Sequence, residues 1–278
     1  GRIRYTHKSL PDRDIYFISN RTDSSISDLC SFRNGSEYAE IWDPVTGESF
    51  TAEAARDGNR YSLKINLEAF QSQFIVFFRS KRHSAKSDNA ISGSEGYELI
   101  TKIQGPWNVT FDTIWGGPAE TVFNTLSDWS VNSDERIKYY SGKAVYRAGF
   151  IITGNSDPGK RYFLNLGKVG NMARVKLNGT TLGTVWTAPW HIDITQQLKT
   201  GENSVEVEIA NLWINRLIGD EKEPWDGIEN GKWPDWLLKG EARPSKRYTF
   251  TTHRFYKKDD PLYESGLLGP VTISSTNR

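Results

Sequence analysis

One cysteine, Cys30, is all that these 278 residues contain, so no intrachain disulfide framework and no multi-cysteine zinc or iron-sulfur site can be built. Set in the strand-like stretch Leu29-Cys30-Ser31-Phe32, it reads as a small buried side chain rather than a reactive nucleophile. An excess of charge of one sign is missing too. Lys and Arg number 35 against 34 Asp and Glu, evenly spread, which argues against nucleic acid or an anionic membrane as a partner. The longest strongly apolar run, Phe74-Ile75-Val76-Phe77-Phe78, falls far short of the ~18 residues that span a bilayer. Met172 is the sole methionine and the chain opens Gly1-Arg2, which reads as a processed chain or an expressed fragment.

Signatures of common chemistries are also lacking. No P-loop, no G-x-G-x-x-G and no G-x-S-x-G occurs, so neither a phosphate cradle nor a serine-hydrolase elbow is expected. His7, His83, His191 and His253 are dispersed, with no H-E-x-x-H, and no metal site and no cofactor are expected from them. The basic cluster Arg79 to Lys86 has no interleaved aromatics and reads as a solvated linker. Apolar spacing at three and four is nearly absent. Only Ala119 to Leu126 and Asp235 to Lys239 offer a helical turn or two.

What the chain has is period two. Tyr61 to Leu67, Val175 to Leu177 and Val205 to Ile209 alternate apolar with polar, and Ile15–Ile18, Tyr38–Trp42, Phe74–Phe78, Val145–Ile152, Arg161–Leu166 and Tyr248–Thr252 also fit strands. Turn clusters separate them, among them Asp43-Pro44-Val45-Thr46-Gly47 and the hairpin signal Asn178-Gly179. The expectation is an all-β protein of two antiparallel β-sandwiches: a small one at 1–80, a serine-rich linker at 81–98, and a larger one at 99–278 with a Trp-rich insertion near 220–245.

Of the ten tryptophans, all but Trp42 lie beyond residue 100. An indole face can stack on the apolar face of a sugar ring, and loops place it within reach. Trp225, Trp233 and Trp236 are the first candidates for a carbohydrate-binding or domain-docking surface, with Trp115 and Trp190 beside them, whereas Trp107, Trp129 and Trp213 read equally well as core plugs. Asn215, Arg216, Asp220 and Glu221 follow the strand around Ile209 and are expected to face outward at a sandwich rim; the alternative is an Arg216–Asp220 pair in a buried turn. Calcium held by Asp or Glu oxygens in this loop fits hard-cation chemistry, without EF-hand-like spacing to support it. Acid pairs for glycoside hydrolysis can be sought in Asp220-Glu221-x-Glu223, Asp134-Glu135 and Glu120 with Asp128, where solvated loop acids are the default reading.

Longer strings carry a resemblance. Leu166-Gly167-x-Val169, Ala173-Arg174-Val175-Lys176-Leu177-Asn178-Gly179, Pro189-Trp190, Gly201-Glu202-Asn203 and Val205-x-Val207-x-Ile209-x-Asn211 resemble the galactose-binding-like jelly roll of the β-galactosidase and β-glucuronidase class. Trp115-Gly116-Gly117-Pro118, Ile137-Lys138-Tyr139-Tyr140-Ser141-Gly142, Asn211-Leu212-Trp213-x-Asn215-Arg216 and Ser265-Gly266-Leu267-Leu268-Gly269-Pro270 look like the C-terminal region of bacterial α-L-rhamnosidases of glycoside hydrolase family 106. Glu40-x-Trp42-Asp43-Pro44-x-Thr46-Gly47 resembles the small sandwich that follows the barrel in those enzymes. The resemblance implies carbohydrate and a catalytic barrel as partners, polysaccharide degradation, and a periplasmic or secreted location. It places the catalytic carboxylates and a calcium in a (β/α)8 barrel, which takes ~250 residues by itself, so no catalytic residue is assigned to this chain. A free-standing carbohydrate-binding module and a purely structural spacer are the alternatives.

Overall fold

Alternating apolar residues set the architecture. The computed structural model describes residues 1–33, 35–80, 97–154 and 157–277, and the linker expected at 81–98 falls mostly outside them. The first module has β1 (Ile3–Ser9), β2 (Arg13–Asn20), β3 (Ile26–Phe32), β4 (Tyr38–Trp42), β5 (Ser49–Glu53), β6 (Ala55–Asp57), β7 (Arg60–Leu67) and β8 (Ser72–Phe78). They form a five-stranded sheet, β1-β2-β8-β4-β5, and a three-stranded one, β3-β7-β6, with every pairing antiparallel. Tyr16, Ile18, Ile75 and Phe77 of the first meet Phe32, Leu63, Ile65 and Leu67 of the second in one core. The thiol of half-buried Cys30 is pushed up by burial and by the nearby Asp28, which suits the unreactive reading.

The second module has β9 (Glu98–Lys102), β10 (Trp107–Phe111), β11 (Glu120–Phe123), β12 (Lys143–Ile152), β13 (Lys160–Asn165), β14 (Lys168–Gly170), β15 (Met172–Leu177), β16 (Thr180–Val185), β17 (His191–Asp193), β18 (Gly201–Ala210), β19 (Gly266–Gly269) and β20 (Thr272–Asn277). Sheets β11-β10-β12-β18-β15-β16 and β17-β13-β20-β9 enclose its core, with β14-β19 as a short ribbon. Trp107, Trp129, Tyr140 and Tyr146 are its largest fully buried side chains. On the outer face of the six-stranded sheet Glu206 accepts from Arg147 at 2.8 Å and from Lys176 at 2.7 Å across three strands, which keeps that face solvated.

The resembling strings turn out to be places where backbone approaches backbone. Gly167 has φ +69°, and a Cβ there would lie 2.2 Å from the carbonyl carbon of Gly269. Asn178 and Gly179, with φ of 51° and 82°, make the expected hairpin turn between β15 and β16. The Asn178 amide then reaches the side chain of Asn203 at 2.9 Å, which joins two of the strings.

Two expected elements differ. Ala119 to Leu126 contains β11, paired with β10, because its apolar residues are needed by a sheet rather than a helix. Tyr248 to Thr252 forms no strand; its backbone is tied to the side chain of Asp220 instead. The helical turn at Asp235–Leu238 is present as α3, after α1 (Glu135–Lys138) and α2 (Ile214–Asp220).

Candidate functional site

Between β18 and β19 the chain leaves the sandwich for more than fifty residues, and α2 fastens this excursion down. The Asn215 amide donates to the Tyr263 carbonyl at 2.7 Å and accepts from its N–H at 2.8 Å, pairing with backbone as a strand would. Arg216 donates to the Trp115 carbonyl at 3.2 Å and lies 4.3 Å from the Tyr248 ring, and its burial pushes the guanidinium pKa down. Asp220 accepts from both N–H and Oγ1 of Thr249 at 2.7 Å. Asn215, Arg216 and Asp220 are therefore buried, not outward-facing, and the Glu221 carboxylate is buried with them. Most of their polar groups take partners, Tyr263 and Thr249 of the excursion and the Trp115 carbonyl, while Arg216 Nε is buried without a hydrogen-bond partner among the described residues. The alternative of a buried turn holds for their burial, but Arg216 and Asp220 are not hydrogen-bonded to each other; each side chain takes a separate partner.

A second layer of charge lies above this anchor. Arg247, 2% exposed, donates to Glu221 at 2.6 Å, and Glu221 also accepts from Arg254 at 2.8 Å. Asp226 accepts from Arg243 at 2.5 and 2.9 Å and from Ser245 at 2.6 Å. Burial alone would raise the Asp226 carboxyl, and the hydrogen bonds from Arg243 and Ser245 overcome it, holding the group below its ordinary value. Asp220 and Glu221, expected as solvated loop acids, are thus committed to donors. Asp128 and Asp134, by contrast, cap short helical turns by accepting from Ser130 and Arg136 N–H at 2.9 Å.

This scaffold holds the tryptophans. Trp225 has Arg247 5.0 Å and Arg254 5.5 Å from its ring, and Trp236 donates to the Asp226 carbonyl at 3.0 Å. Trp233, 51% exposed, stacks on Phe250 at 5.9 Å with an interplanar angle of 3°, and Trp236 meets the same ring edge-on at 6.1 Å. Trp115 and Trp213 make a second, edge-to-face pair at 5.0 Å, with Trp213 and Tyr248 exposed. Trp213 is therefore not a core plug, whereas Trp107 and Trp129 are. Trp190 is separate: half-buried against the sandwich core, its carbonyl accepts from Leu166 N–H. Gly116 and Gly117 leave room for this arrangement, since a Cβ on them would lie 2.2 Å from the Tyr248 hydroxyl and 2.5 Å from the Phe111 Cβ. The sequence did not disclose Arg243, Arg247, Arg254 and Phe250, whose signal is a run of arginines spaced along a Trp-rich, strandless segment. Flat aromatic faces backed by paired charges can hold apolar rings and hydroxyls.

Sandwich fold and motif set together resemble the β-sandwich regions of glycoside hydrolases. Residues 1–54 match the α-L-rhamnosidase family model, and residues 125–246 match the glycosyl hydrolase 2 galactose-binding domain-like model. A rhamnosidase from Novosphingobium sp. PP1Y superposes over 98% of this chain with a TM-score of 0.73 and 29% identity, and a protein of Formosa agariphila named "Putative beta-glucuronidase" is 43% identical over 62% of it. The chain spans 24% of the first and 15% of the second.

Proposed function

We propose that this chain is the non-catalytic β-sandwich region of a rhamnosidase-like glycoside hydrolase, supporting a catalytic barrel and contacting carbohydrate, in an enzyme that works in the periplasm or outside the cell. The observation that carries the reading is full-length superposition on about a quarter of a rhamnosidase. Glycoside hydrolysis needs two carboxylates set for acid and base or nucleophile work, and the buried ones of the Trp-rich excursion, Asp220, Glu221 and Asp226, are bound to arginines and Thr249. The purified chain is expected to leave an aryl α-L-rhamnoside intact, and turnover at enzymatic rates by the chain alone would overturn the proposal.

The open face of Trp233 favours direct contact with sugar by this region. Trp233→Ala is expected to weaken glycan binding by about 1–2 kcal/mol, roughly 5- to 30-fold in Kd, while stability shifts by only about 0.5 kcal/mol. Affinity electrophoresis in polysaccharide gels beside thermal melts checks both. A large fall in melting temperature with unchanged retardation would make Trp233 a spacer contact instead.

A further inference from the structure

A cavity of about 390 Å³ lies between the two sandwiches, away from the tryptophans. Both walls are stiff. On the first module, Asp43 Oδ1 accepts from the N–H groups of Val45 and Thr46 at 2.7 and 3.1 Å, fixing the loop between β4 and β5. On the second, Arg161 of β13 donates through Nε and Nη2 to Asp193 of β17 at 3.0 and 2.8 Å, with Glu48 of the first module 3.9 Å from the same guanidinium. Asp193 also accepts from Thr195 N–H at 2.8 Å.

Two polar atoms at this place have no hydrogen-bond partner among the described residues. Gln73 of β8 lines the cavity, is only 7% exposed, and its Oε1 accepts nothing. The hydroxyl of Tyr97 is buried and unpaired as well; its ring packs edge-on against Phe163 at 5.4 Å and beside His191 at 5.9 Å, and both of those residues line the cavity. An orphaned buried polar atom costs about 1–3 kcal/mol, so two together call for a cause. Glu68, another lining residue, has its carboxyl pushed up by burial, and burial holds His191 below its usual value.

The lining offers acceptors in excess: Glu48, Glu68, Asp193 and Gln73. Its ligand must therefore bring donors. A uronate would be repelled by the four carboxylates that include Asp43; an ammonium would be drawn by them and is the competing ligand, while a neutral polyol brings donors for the acceptors and a C–H surface for Leu182 and Ile192. We propose that the cleft between the sandwiches binds one neutral sugar residue, with Gln73 Oε1 and Glu68 accepting from its hydroxyls. That the polyol is a sugar rests on the carbohydrate reading above; the position of the site does not.

Calorimetric titration of the whole chain with L-rhamnose, D-galactose, D-glucuronate and 1,5-diaminopentane tests this, with Gln73→Leu and Trp233→Ala as variants. One neutral sugar is expected to bind the wild type and Trp233→Ala, and Gln73→Leu is expected to weaken it about tenfold, the size of one hydrogen bond. The melting temperature of Gln73→Leu should hold or rise, because an orphaned acceptor has been removed. Binding lost in Trp233→Ala but intact in Gln73→Leu would overturn the cleft and leave the carbohydrate reading standing. Glucuronate or the diamine as the preferred ligand would overturn the neutral polyol, and no binding by any of the four would overturn both.

Discussion

Arg247→Ala is expected to detach the Trp-rich excursion from the second sandwich, at a cost of about 3–5 kcal/mol, because it removes the one fully buried cation shared by Glu221 and Asp226. Arg247 is the deepest cation of the network, at 2.6 Å from Glu221 and 3.9 Å from Asp226, and its guanidinium also lies against Trp225. Removing it leaves Glu221 with only the exposed Arg254 and Asp226 with Arg243, and loosens an indole. Limited proteolysis should then cut within residues 221–265 while the core strands remain protected. Arg254→Ala, at the exposed end of the same network, should cost less than about 1 kcal/mol. Equal sensitivity of the two variants would mean that the network is not what holds the segment down. Acid should act in the same direction. The Asp226 carboxyl is depressed in the folded state, so its contribution is complete above its unfolded value near ~3.9 and is lost as pH falls through the lower folded one. Proteolysis by an acid protease should therefore open the excursion before it reaches the sandwich.

Trp129→Ala is expected to destabilise the second sandwich by about 3–5 kcal/mol, read as a lower urea midpoint with an unchanged slope. Trp129 is fully buried, donates through Nε1 to the Tyr146 hydroxyl at 2.5 Å, and packs against Phe111 and Tyr140 at 5.3 and 5.7 Å. Gly266 presses on it so closely that a Cβ there would lie 2.5 Å from the indole nitrogen. The site therefore cannot refill by small shifts of its neighbours. Trp129→Phe keeps most of the volume and removes the donor, so the difference between the two variants isolates the hydrogen bond from the cavity. A loss below about 1 kcal/mol for the alanine variant would show that the core relaxes around the gap.

Period two was enough to find Tyr61–Leu67 and Val205–Ile209, because alternation reports a local fact: one face of a strand is buried. It misled at Tyr248–Thr252, where residues of strand type form no strand and the backbone of Thr249 is held by the distant Asp220. Burial of Arg216 and Asp220 was legible only as an alternative, and that of Asn215 not at all, for the same reason. Their partners, Tyr263, Trp115 and Thr249, lie far along the chain, and a polar residue reads as exposed until its partner is known. The tryptophans were visible as a cluster, but which of them are plugs depends on three-dimensional neighbours: Trp129 is sealed, Trp213 is not. The cleft between the modules left no trace in any pattern, since Gln73 and Arg161 come together only when two separate sheets meet.

The pairing of β9 with β20 has a topological consequence. Glu98 lies opposite Ser275, so the first and last strands of the second sandwich are antiparallel neighbours and the polypeptide enters and leaves that sandwich at one corner. A short peptide joining these two points and a new opening at the Asn178-Gly179 turn would give a circular permutant with every strand pair retained. The sandwich is thus a cassette, insertable into a longer polypeptide with little displacement of the chain on either side.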